Sequence, residues 1–169
     1  MAAKPEALCA KAEKALAIKG LFGFGQAKPD YDVAMDAFTQ AGNLYKAAKN
    51  NSCAADCFCR AAECQYQVNS LFLAAKSYET GAVLMGPGPK ASDIYKKASN
   101  CYLMHGSPDR AAEMLEKAAD AVSDDPAQCV QLLKDACEIY QQEDRMQYGA
   151  EVFRKTIAFC IRANMLRLF

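Results

Sequence analysis

Apolar residues recur every three or four positions along this chain, in block after block, and turn signals separate the blocks. In the first block Ala7-Leu8, Ala12, Ala15-Leu16 and Ile18 form one apolar face with lysines between them. That spacing predicts a helix over 5–18, with Pro5 at a first helical position and Gly20 ending it. Val33, Ala34, Ala37, Phe38, Ala41, Leu44, Tyr45 and Ala48 repeat the pattern and predict a second helix from Tyr31 or Asp32. Further helices are predicted over 52–68, with Ser52 as its N-cap, and over 71–85, 91–105, 109–122 and 127–141. An eighth begins near Arg145 or Met146. No segment sustains a period of two with β-branched residues, so no strand is predicted.

The turn signals are evenly placed. Asn50-Asn51, Asn69-Ser70, Gly86-Pro87-Gly88-Pro89, Gly106-Ser107-Pro108, Asp124-Asp125-Pro126 and Gln142-Glu143-Asp144 follow one another at steps of roughly 17 to 20 residues. Each step holds one helix and a tight turn. The helices also resemble one another: Ala37-Phe38, Ala61-Ala62, Ala74-Ala75 and Ala111-Ala112 put small residues where a neighbouring backbone must approach. The expected fold is all-α, a right-handed superhelical α–α solenoid of tetratricopeptide-like hairpins repeating about every 38 residues. One helical-repeat domain over 1–169 is expected: a first helix over 1–19, an apolar glycine-rich loop over 20–30, and an antiparallel helix stack over 31–169. A single compact bundle is the alternative, and near-equal helix lengths with short turns favour the solenoid.

Composition narrows the function classes. The chain is 52% hydrophobic, but much of this is alanine, which suits close helix packing. A formal net charge of zero argues against a general nucleic-acid binder, which would carry a basic excess. Lys4, Glu6, Lys11, Glu13 and Lys14 interrupt the N-terminal segment, so no signal peptide is expected, and no apolar run approaches the ~18 residues of a membrane span. Nine cysteines are an odd number and cannot all pair internally; with no export signal, reduced thiols in the cytosol are expected.

The candidate chemistry is thin. Cys53, Cys57, Cys59 and Cys64 look like a metal cluster, but on one helix Cys53 and Cys64 stand roughly 16 Å apart at 1.5 Å rise per residue, too far to meet at one ion. Cys53, Cys57, Ala61 and Cys64 share one face, the pattern of a packed stripe; a thiol-based redox or metal role would use Cys53 and Cys57. The one histidine, His105, sits at a helix end and suits a C-terminal cap. Gly20, Gly23 and Gly25 follow a helix, and no phosphate-loop lysine comes after them. No catalytic residue, cofactor or metal is expected, and the chain does not read as an enzyme.

The segment Leu21-Phe22-Gly23-Phe24 stands apart. Large apolar side chains in a glycine-flanked loop are hard to bury, so they read either as a loop folded back on the first hairpin or as an exposed apolar tip. Charge favours the tip. Residues 1–28 hold five lysines, including Lys11, Lys14, Lys19 and Lys28, against Glu6 and Glu13, a net +3. Each lysine near an anionic bilayer contributes about 1 kcal/mol, so an apolar tip with a basic helix makes a reversible two-part membrane contact.

These residues carry a resemblance. Lys11-Ala12-Glu13-Lys14 leads into a Phe-Gly loop; Lys28-Pro29-Asp30-Tyr31-Asp32 follows, then Tyr45-Lys46-x-Ala48-Lys49 and Leu71-Phe72-x-Ala74-Ala75-Lys76-x-Tyr78-Glu79. The pattern continues through Val130-Gln131-Leu132 to Ala150 and resembles the soluble NSF attachment proteins (SNAPs), most closely the gamma type, over nearly the whole chain. The resemblance implies an adaptor in vesicle trafficking and membrane fusion, including ER–Golgi transport. Such adaptors coat the syntaxin-type SNARE four-helix bundle and recruit the NSF ATPase to take it apart. It implies a cytoplasmic protein, peripheral on the cytosolic face of Golgi, vesicle or endosomal and vacuolar membranes. Leu21, Phe22 and Phe24 become the membrane contact, and Lys46, Lys49, Lys76, Lys96, Lys97 and Arg110 the candidate SNARE-facing cations. The segment His105-Gly106-Ser107-Pro108-Asp109-Arg110 departs from the alpha-type basic pattern. Family members are longer, so an end at Phe169 reads as a chain lacking the NSF-stimulating region. The alternative function is a generic tetratricopeptide-like scaffold that binds peptides in its concave groove.

Overall fold

Helix boundaries in this protein are set by cap chemistry at the turns. The computed structural model describes residues 4–17, 29–142 and 146–162. These hold eight helices and no strand: α1 (Pro5–Leu16), α2 (Tyr31–Ala47), α3 (Asn51–Gln67), α4 (Leu71–Met85), α5 (Pro89–Met104), α6 (Pro108–Ala121), α7 (Pro126–Gln142) and α8 (Met146–Arg162).

Three turns are built alike. After α2, Lys49 N donates to Lys46 O at 3.0 Å and Asn50 N to Tyr45 O at 2.9 Å. After α3 the same two bonds run from Asn69 to Tyr66 and from Ser70 to Gln65; after α5, from Gly106 to Leu103 and from Ser107 to Tyr102. This paired closure satisfies carbonyls that a helix end leaves open, and it needs a left-handed residue between the two donors. Lys49 (φ 57°), Asn69 (φ 59°) and Gly106 (φ 82°) occupy that place. Glycine fits it without cost; Lys49 adopts it against steric preference.

A side-chain cap and a leading proline each shift a predicted start. Asn50, not Ser52, caps α3: its side-chain oxygen accepts from Cys53 N at 3.3 Å. Asparagine is favoured here because its short carbonyl reaches an amide the first turn cannot use. Likewise α5 begins at Pro89 rather than Ala91, since a proline at the first position gives up no hydrogen bond.

The described residues fall into two units, 1–85 and 86–169. In the first, α1 packs on α2, α2 on α3 and α3 on α4. Its core around Phe38 is made of Ala12, Ala34, Ala37, Ala61 and Cys64, with Cys9, Ala15, Leu16, Tyr31 and Met35 partly buried against it. Alanines bring the helices close, and one large ring fills the space left between them. Gly81 marks the tightest approach: a Cβ there would stand 2.8 Å from Cys59 Sγ and 3.3 Å from Ala55 O, a backbone atom that cannot step aside. Gly81→Val is therefore expected to destabilise by about 1–3 kcal/mol, read as a lower urea midpoint at unchanged slope.

In the second unit α5, α6, α7 and α8 pack in order around Tyr102, Met114, Val152 and Thr156. Ser99 Oγ donates to Ala111 O at 2.8 Å across the α5–α6 contact, and Gly88 N donates to Ala121 O at 2.8 Å. Helices two apart also meet within each unit: Arg60 on α3 pairs with Glu13 on α1, and Lys155 on α8 with Glu116 on α6. Within each unit every helix thus packs on the next in sequence, the arrangement of an all-α helical-hairpin solenoid. Among the described residues no helix is long and apolar enough to cross a membrane.

Candidate functional site

The end of the first unit that carries the α1–α2 connection is where sequence and geometry meet. Asp30 N donates to Ala15 O at 2.9 Å, so the described residues on either side of the apolar segment are held together. Leu21, Phe22, Phe24, Lys19 and Lys28 themselves lie outside the described residues. Lys11 and Lys14 are exposed on α1, three residues apart and therefore on one side of it.

Because the chain reverses at each turn, the α3–α4 turn lies at the same end. Val33, Tyr66, Phe72 and Leu73 expose apolar surface there, Leu73 to 51% and Phe72 to 38%. Lys76 Nζ sits 5.7 Å from the Phe72 ring centre, a cation over an aromatic face. The sequence marks Phe72 and Leu73 only weakly. Leu71-Phe72-Leu73 is a run of three at a helix start, and three consecutive helical positions cannot all face one core.

A hollow of about 340 Å³ opens beside the same end, lined by Leu16, Tyr31, Arg60, Glu63, Cys64 and Gln67. Arg60 forms one wall. Its guanidinium donates to Glu13 Oε1 at 2.9 Å and lies 4.3 Å from the centre of the Phe38 ring. Two contacts of different kinds favour this one orientation of a long side chain.

The six candidate partner-facing cations do not converge. Lys46 and Lys49 are exposed together where α2 turns into α3. Lys76 is on α4, about 16 Å away along the helix axis at 1.5 Å per residue. Lys96 and Lys97 are on α5, with Lys96 half-buried and paired to Asp93 at 2.6 Å. Arg110, in the first turn of α6, pairs with Glu113 at 3.4 Å. Such exposed pairs within one helix contribute only about 0.3–0.5 kcal/mol, so either cation is readily exchanged to another anion.

A second hollow, of about 570 Å³, lies between α6, α7 and α8 and is lined by Glu116, Asp120, Cys129, Leu133, Lys155 and Phe159. Lys155 Nζ donates to Glu116 at 2.7 Å, which pushes the lysine up and keeps it charged. Burial, reinforced by Asp120, pushes the Cys129 thiol up to about 11, so it stays protonated and is a poor nucleophile. His105 is exposed as the C-cap of α5. Among the described residues no three potential metal ligands come together. Cys57 and Cys64 are buried and Cys53 partly buried, the packed stripe expected of α3, while Cys59 faces Gly81.

Comparison with known proteins agrees along both units. The family model described as "Soluble NSF attachment protein, SNAP" matches residues 3–86 and 84–166. A gamma-soluble NSF attachment protein of Dictyostelium discoideum is 30% identical over 139 residues, covering 80% of this chain and 43% of that protein. One of Arabidopsis thaliana is 29% identical over 158 residues, covering 91% of this chain and 53% of that protein. The chain therefore spans about half the length of the curated relatives it matches.

Proposed function

The chain belongs to the soluble NSF attachment protein family, and from that premise we propose that it works as a trafficking adaptor between membranes, SNARE bundles and the NSF ATPase. The family's adaptors act by holding partners together, and a non-catalytic role fits cysteines held protonated by burial and an exposed, capping His105.

We assign to these 169 residues the membrane-proximal and SNARE-facing share of that work. The observation that carries the assignment is the apolar end of the first unit. Phe72 and Leu73 lie exposed at the end where Asp30 and Ala15 bracket Leu21, Phe22 and Phe24, and Lys11 and Lys14 add positive charge on the adjoining helix. Apolar area gives the depth of insertion and lysines the attraction to anionic lipid. Lys46, Lys49 and Lys76 on the same unit supply cations for an acidic helical bundle, with Lys96, Lys97 and Arg110 on the second.

Flotation with phosphatidylserine vesicles tests the membrane half of this reading. Leu73→Ser should lower the partition coefficient by about tenfold, the cost of losing one leucine from an apolar contact. It should leave the melting temperature in place, because Leu73 is half-exposed and outside the core. Equal partitioning of variant and parent would remove Leu73 from the contact.

A further inference from the structure

Nothing in the sequence connects Cys9 on α1 with Cys57 on α3, forty-eight positions later. In the fold their sulfurs stand 3.5 Å apart and share a hydrogen bond. A disulfide needs about 2.05 Å between sulfurs, so closing the gap asks for a side-chain rotation and a small approach of two helices already in contact. We propose that Cys9 and Cys57 form a thiol-oxidation site that hydroperoxides convert to a disulfide, fastening α1 to α3.

The two members differ in exposure. Cys9 is partly exposed and is where an oxidant arrives; Cys57 is buried. Burial and the hydrogen bond with Cys9 push the Cys57 thiol up to about 12, so it stays protonated and inert while the pair is reduced. The steps balance. Cys9 sulfur takes one oxygen from the hydroperoxide, the O–O bond breaks, and an alcohol or water leaves, giving a sulfenic acid on Cys9. The Cys57 sulfur then attacks the Cys9 sulfur, the S–O bond breaks, and the hydroxyl leaves as water with the Cys57 proton. The partner's position at 3.5 Å compensates for its low acidity, since attack within one fold replaces a bimolecular encounter.

Cys53, one turn before Cys57, is the competitor, being partly exposed on the same face of α3. The cross-link would matter because α1 carries Lys11 and Lys14 and leads into the apolar segment. In the reduced protein an exposed ion pair, Glu13–Arg60, joins α1 to α3. The disulfide adds a covalent link beside that exchangeable contact.

Hydrogen peroxide titration of the reduced full chain tests the site, read by intact mass and by peptide mapping without reductant. The expected result is loss of two hydrogens and a cross-linked peptide joining Cys9 to Cys57. Cys9→Ser should abolish the product and leave the Cys57 thiol reduced at the same peroxide dose, and Cys53→Ser should leave the Cys9–Cys57 product in place. Limited proteolysis should cut α1 more slowly in the oxidised form, an effect that dithiothreitol reverses. A dominant Cys9–Cys53 link, or Cys9 passing to sulfinic acid with no cross-link in the parent protein, would overturn the assignment. Peptide mapping of the parent decides this even if a variant folds poorly.

Discussion

Phe38→Ala is expected to cost about 3–5 kcal/mol of unfolding free energy, the range for a fully buried aromatic residue. Phe38 is 0% exposed at the meeting point of α1, α2 and α3. Its neighbours make the cavity hard to close. Ala12, Ala34, Ala37 and Ala61 are little more than backbone, so filling the void would require whole helices to move. The substitution also removes the ring beneath Arg60, whose guanidinium lies 4.3 Å from its centre and pairs with Glu13 on α1. Urea unfolding followed by circular dichroism measures the loss. Phe38→Leu should cost less, because a branched aliphatic fills part of the space. A loss below about 1 kcal/mol for alanine would contradict the core described around this ring.

The second large effect is on membrane partitioning. Replacing Phe22 and Phe24 together by serine should weaken binding to anionic vesicles by at least about a hundredfold. Each phenylalanine contributes about 1.5–3 kcal/mol when its surface leaves water, and the two act on one contact. Lysine attraction remains in the variant, so what binding is left should fall steeply as salt rises. The parent should bind with both components and lose only the electrostatic part at high salt. Vesicle flotation at two salt concentrations separates the terms. A variant that binds like the parent would mean that Phe22 and Phe24 do not enter lipid.

Much of the fold is written in the spacing of small and apolar residues. Ala37-Phe38, Ala61-Ala62 and Ala111-Ala112 fall on inward faces, and the turn signals at Asn50, Asn69 and Gly106 sit where helices end. These features are local, so a single chain reveals them. The choice of cap at Asn50 over Ser52 is also local, but two residues of similar capping strength, two positions apart, compete, and the sequence does not rank them. What the sequence leaves out is long-range. Cys9 and Cys57 meet because α1 and α3 lie side by side, and no pattern within either helix signals it. Phe72 and Leu73 join the end bracketed by Ala15 and Asp30 only once the chain reversals are followed. The candidate cations show the opposite limit. Lysines are visible in sequence, but Lys46 with Lys49, Lys76, Lys96 with Lys97, and Arg110 occupy four different helices or their turns.

The proposed adaptor role turns on what the chain grips. Binding of the protein to an assembled SNARE four-helix bundle, immobilised through one of its chains and compared with each SNARE chain alone, tests that directly. The reading predicts retention on the assembled bundle, weakened about tenfold when Lys46 and Lys49 are changed to glutamate, since charge reversal turns attraction into repulsion. Binding to single extended chains with none to the bundle would point instead to a peptide-binding helical scaffold and would contradict the adaptor role.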